Sequence, residues 1–109
     1  MKLLPTVLDL MAHIGDAPLS SYVFIERESD LGTTRFLLVE SDEADVYCPD
    51  TRDYRVEFQN TVWVDFLEVA LVQDIRQGVT LARGATASAA DYVAALKYYD
   101  ENDAFLDFR

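Results

Sequence analysis

Ser21-Tyr-Val-Phe-Ile-Glu26 and Thr34-Arg-Phe-Leu-Leu-Val-Glu40 decide the fold. Both runs are aromatic and β-branched, so both read as strands. Between them lies the polar stretch 27–33 with Gly32, a hairpin loop longer than the tightest type. Each run carries apolar residues on both faces. Helices on one side of the sheet, with a loop or partner partly covering the other, explain that pattern.

Working outward, Thr6 caps a short helix and Asp9 sits in the capping-box position. Val7, Leu10, Met11 and Ile14 follow helical spacing, which predicts a helix over 6–14 ended by Gly15. Residues 41–53 read as a loop by composition. Val56 and Phe58 alternate with Glu57 and Gln59 as in a third strand. After a turn at Asn60, residues 61–67 either continue the sheet or lead extended into a helix. Val72, Ile75 and Val79 predict a helix over 69–83, with Gln73, Asp74, Arg76 and Gln77 outward and Gly84 at its end. Ser88, with Asp91 three residues on, caps a final helix striped by Tyr92, Leu96 and Tyr99. Phe105, Leu106 and Phe108 form an apolar tail that folds back on the core. The expected class is α+β: an N-terminal helix, an antiparallel sheet of three to four strands and two C-terminal helices in one domain, 1–109.

Charge is the main functional signal. The chain has 109 residues, 20 Asp and Glu against 9 Lys and Arg, and a formal net charge of -11. Half of it is hydrophobic, so the acids sit on a folded domain and not on a disordered tail. The sign disfavours direct contact with nucleic acid or anionic lipid and favours a basic protein, whose encounter it accelerates. Cys48 is the single cysteine, so no intramolecular disulfide forms. Residues 1–5 look only briefly like a signal peptide, because Asp9, His13 and Asp16 interrupt any apolar stretch. No run of residues is long and apolar enough for a membrane span. A cytoplasmic location is expected.

The segment from Glu40 to Tyr54 is the first candidate site. It holds Asp42, Glu43, Asp45, Asp50 and Asp53 with Tyr47 and Tyr54 interleaved and Arg52 as its one cation. Aromatic anchors ringed by charge are typical of interface hot spots. Asp100, Glu101 and Asp103 form a second candidate. They lie where a helix C-terminus already carries negative potential, unless the helix stops before Asp100. Asp65, Glu68 and Asp74 form a weaker third group.

Chemistry is otherwise unsupported. The strings 42–45 and 100–103 are oxygen-rich but lack the calcium-loop pattern. One His and one Cys exclude an ordinary zinc site. His13 has no nucleophile at a recognisable spacing, and the acids on both sides of Cys48-Pro49 are expected to disfavour a reactive thiolate. The four glycines are scattered, so no phosphate-cradling loop exists. No catalytic residue, cofactor or metal is expected.

Val72-Gln-Asp-Ile75, Ala89-Ala-Asp-Tyr-Val-Ala-Ala-Leu-Lys-Tyr-Tyr99 and Asp103-Ala-Phe-Leu-Asp-Phe108 resemble a family of small acidic bacterial proteins with a "QD" helix followed by an "AL-x-YY-x-x-x-DAF" helix and tail. In size and charge the whole chain is similar to immunity proteins of bacterial competition, especially contact-dependent growth inhibition. That resemblance implies a non-catalytic cytoplasmic protein that neutralises a cognate basic toxin, often a nuclease domain, by covering its cleft. A nucleic-acid mimic that inhibits a DNA-binding protein, or a housekeeping subunit with merely solubilising acids, fits the same composition. Oligomeric state is open.

Overall fold

The computed structural model describes residues 1–40, 46–48 and 53–106, with 46–48 and 53 described by backbone. The chain is α+β. Its elements run β1 (Lys2–Leu4), α1 (Val7–His13), β2 (Tyr22–Glu26), β3 (Phe36–Val39), β4 (Val46–Cys48), β5 (Asp53–Phe58), β6 (Thr61–Glu68), α2 (Val69–Arg83) and α3 (Ala89–Asn102). Among the described residues, six strands form one sheet in the order β1-β3-β2-β6-β5-β4, and every neighbouring pair is antiparallel.

The expectation of three to four strands is therefore corrected to six, and a strand, not a helix, comes first. The two unexpected strands, β1 and β4, are three residues each and form the two edges of the sheet. A three-residue strand is too short for alternation to register, and short edges are how sheets limit unwanted pairing. Strand β4 also corrects the reading of 41–53 as loop throughout, as does Asp53 at the start of β5.

Local chemistry explains most boundaries. The Thr6 hydroxyl accepts the Asp9 amide at 3.2 Å and starts α1. Gly15 does not end the helical path, which continues as a 3-10 turn over Ile14–Asp16. Asp30 Oδ1 accepts the amides of Gly32 and Thr33 and closes the β2–β3 loop as an Asx turn. Gln59 and Asn60 both have positive φ, 51° and 58°, the backbone that a two-residue hairpin needs between β5 and β6. The 61–67 segment continues the sheet. Strand β6 then passes directly into α2, and the Val69 amide donates to the Ser21 carbonyl at 3.0 Å. Ser88 and Asp91 form the expected reciprocal capping box of α3.

Two apolar clusters occupy opposite faces of the sheet, as strand alternation requires. On the helix face, Val23 and Phe36 meet Leu10 and Ile14 of the first helical segment, Val69, Val72, Ile75 and Val79 of α2, and Leu96 of α3. On the other face, Phe24, Leu37, Val39, Val56 and Trp63 are buried together. A bulge in the β2–β6 ladder between Val23 and Phe24 shifts the pairing by one residue. Gln73, expected to face outward, turns in and donates to the Ile14 carbonyl at 2.8 Å. Arg76 lies against Gly15, where a Cβ would meet its guanidinium at 2.9 Å.

Candidate functional site: an acidic surface

The first candidate segment ends at the β4–β5 edge of the sheet. Register pairs Tyr47 with Tyr54 and Cys48 with Asp53, so the two expected tyrosine anchors are backbone neighbours across that edge. Tyr54 is 46% exposed. Its amide donates to Asp65 Oδ1 at 2.9 Å, which ties a carboxylate of β6 to the edge. Asp65, previously only in the third group, thus joins the first. A side-chain bond across strands leaves no signal in residue spacing. Asp42, Glu43, Asp45 and Asp50 lie outside the described residues, as do the side chains of Tyr47 and Asp53.

The second candidate is built by α3. The helix runs through Asn102, so Asp100 and Glu101 lie in its last turn instead of following it. Asp103 caps it in the left-handed region, with φ 52°, and its amide donates to the Tyr99 carbonyl at 2.8 Å. Partial burial, and then the Glu101 carboxylate, push the Asp100 carboxyl up from its ordinary range. Tyr99 is also pushed up. Burial is the largest cause, followed by the charge of Asp103 and its hydrogen bond to the phenol, then Glu68 and Asp74. Members of the second and third acidic groups therefore act electrostatically on one tyrosine. Phe105 folds back onto that ring, with centroids 5.1 Å apart. Leu106 packs against the core, and Phe108 lies outside the described residues.

Beside this cluster is a groove of about 310 Å³ between α2, α3 and the C-terminal segment, with Asp74, Gly78, Leu81, Ala95 and Phe105 among its walls. Sequence spacing does not reveal it, because Leu81 and Gly78 fall off the buried stripe of α2.

Glu26 and Arg35 form a polar pair that serves the fold. Glu26 Oε1 accepts both the Arg35 amide and Arg35 Nε at 2.8 Å, and the guanidinium lies 5.3 Å from the Trp63 ring centre. The Arg35 bond holds the Glu26 carboxyl below its usual range, against a smaller opposing effect of burial. His13 Nδ1 lies 3.4 Å from Lys2 Nζ. Among the described residues no group of three or more His, Cys, Asp or Glu is placed to hold a metal ion, and no helix is long and apolar enough to cross a membrane.

No curated protein and no solved structure matches the chain. One family model does, over residues 3–108, nearly the whole length, and its description is a domain of unknown function, DUF7716. The chain belongs to the DUF7716 family.

Proposed function

We propose that this protein is an immunity-type inhibitor. It binds one cognate basic toxin, a nuclease domain in the simplest case, and covers its substrate cleft without catalysis of its own. The observation that carries the proposal is the chain's unbalanced charge on a well-packed domain. Twenty acids face nine cations, and three of those cations, Arg27, Arg35 and Arg83, already pair with Glu28, Glu26 and Asp91. The surplus of acids has too few partners within the chain. A nuclease cleft is basic because its substrate is a polyanion, so an acidic surface meets complementarity that is already there. In this reading Asp42, Glu43, Asp45, Asp50 and Asp53 face Lys and Arg of the toxin. Tyr47 and Tyr54 pack at the centre, and the complex forms in the cytoplasm of the toxin-producing cell.

The test is capture by the tagged full chain from its native organism, at low and at moderate salt, with mass spectrometry of what is retained. One dominant basic partner that survives moderate salt supports the proposal, above all if it is the C-terminal piece of a large secreted protein. A spread of unrelated DNA-binding proteins, lost together as salt rises, contradicts it and points to nucleic-acid mimicry.

A further inference from the structure

Gly78 stands in the middle of α2, on its exposed side. Glycine is the poorest helix former after proline, so a mid-helix glycine lowers the stability of α2. Nothing in the fold requires it. Its φ is not in the left-handed region, and a Cβ added there would meet no atom within 4 Å. The open space belongs to the groove between α2 and the C-terminal segment, which Gly78 lines. Two large apolar side chains flank that space and stay in water: Leu81 is 79% exposed and Phe105 54%. The fold therefore leaves open space over the α2 backbone here, bordered by exposed apolar side chains.

Charge narrows what can fill that space. The one charged residue lining the groove is Asp74, and no cation lines it among the described residues. Phe105, on its wall, packs tilted against the Tyr99 ring, and Asp103, two residues before it, caps α3 through its amide on the Tyr99 carbonyl. A second copy docking here through a twofold interface would bring Asp74 of one copy to the same acidic face of the other, on chains that each carry -11. An anionic lipid or nucleic acid meets the same repulsion. A cationic peptide segment does not.

We propose that the groove is the docking site for a partner segment that places an apolar side chain beside Gly78 and a Lys or Arg against Asp74. The proposal rests on the reading of this protein as a binder of a basic partner. It assigns a contact surface on the α2–α3 side in addition to the 42–54 segment.

The test uses the full chain and a phage-displayed library of random dodecapeptides. Selection on wild-type protein is expected to enrich peptides that combine an apolar residue with neighbouring Lys or Arg. The enriched peptide, made synthetically and dye-labelled, is then titrated by fluorescence anisotropy against Gly78→Leu, Gly78→Ala and Asp74→Lys. Gly78→Leu fills the groove and is expected to weaken binding about tenfold or more, the loss of one apolar anchor from its pocket. Asp74→Lys is expected to weaken it as well. Thermal melts guard against misfolding, since both Gly78 substitutions improve helix propensity and should hold or raise the midpoint. Enrichment of peptides without cations, no enrichment at all, or an affinity unchanged by Gly78→Leu overturns the proposal. So does a wild-type dimer in sedimentation that Gly78→Leu dissociates, because the occupant is then a second copy. A basic partner captured from the organism that binds Gly78→Leu as tightly as wild type overturns the groove and leaves the broader reading standing. Failure to capture any basic partner overturns both.

Discussion

Replacing Trp63 tests whether the face of the sheet away from the helices is a true core. Trp63 is fully buried among Phe24, Leu37, Val39 and Val56. Its Nε1–H donates to the Phe58 carbonyl at 3.1 Å. Trp63→Ala removes the largest buried side chain and leaves a cavity, with a cost of about 3–5 kcal/mol. Trp63→Phe keeps a ring but leaves the Phe58 carbonyl without this donor and opens a smaller void, for about 2 kcal/mol. For a domain of this size each kcal/mol lowers the melting midpoint by about 4–8 °C. The alanine variant should therefore melt at least about 12 °C below wild type, and the phenylalanine variant about halfway between. Urea denaturation followed by far-UV circular dichroism gives both free energies, with Val72→Ala as a reference on the helix face. A Trp63→Ala penalty under about 1 kcal/mol would refute the reasoning, because fully buried aromatics do not leave a packed core so cheaply. The second cluster would then be a surface patch, and the sheet would have only one structural face.

Other expectations follow from single interactions. Ser88→Ala removes the N-cap of α3 and should cost about 1 kcal/mol, measured by urea melts, whereas Ala90→Ser, with no cap to lose, should change far less. Glu26 has a lowered folded-state pKa, so its contribution is present at neutral pH and is lost as pH falls below its ordinary value of 4.5 and through the folded value. Glu26→Gln should thus be less stable than wild type at neutral pH, and the gap should close in acid. A gap that is constant with pH contradicts that assignment. Gly78→Ala should stabilise the fold by about 0.5–1 kcal/mol, and a loss of stability would show that the open space at Gly78 is needed by the chain itself.

The elements with strong local chemistry were legible in the sequence. Thr6 with Asp9, Ser88 with Asp91 and the Val72-Ile75-Val79 stripe announce the helices, and the runs at 21–26 and 34–40 announce the central strands. The apolar residues on both faces of those strands implied cover on both sides of the sheet, but the second buried cluster around Trp63 was not foreseen. What escaped has a common cause. Strand β1 is defined by long-range pairing to β3 and β4 by pairing to β5, and three residues carry no period. Gln73 was placed outward by helical phase, yet a tertiary acceptor, the Ile14 carbonyl, draws it inward. The candidate site divides in the same way. Acid density is visible in composition, but the link between Tyr54 and Asp65 and the electrostatic effect of Glu68, Asp74 and Asp103 on Tyr99 arise only when β6, α2 and α3 come together.

The central claim, an acidic surface steering onto a basic partner, is tested most directly by association kinetics. The captured toxin domain would be mixed in a stopped-flow instrument with wild-type protein and with the Asp42→Lys, Glu43→Lys, Asp45→Lys triple variant, over a range of ionic strength. The account predicts a fast wild-type association that slows steeply with salt, and a slower, flatter dependence for the variant. Equal association rates for the two proteins at every salt concentration would contradict it.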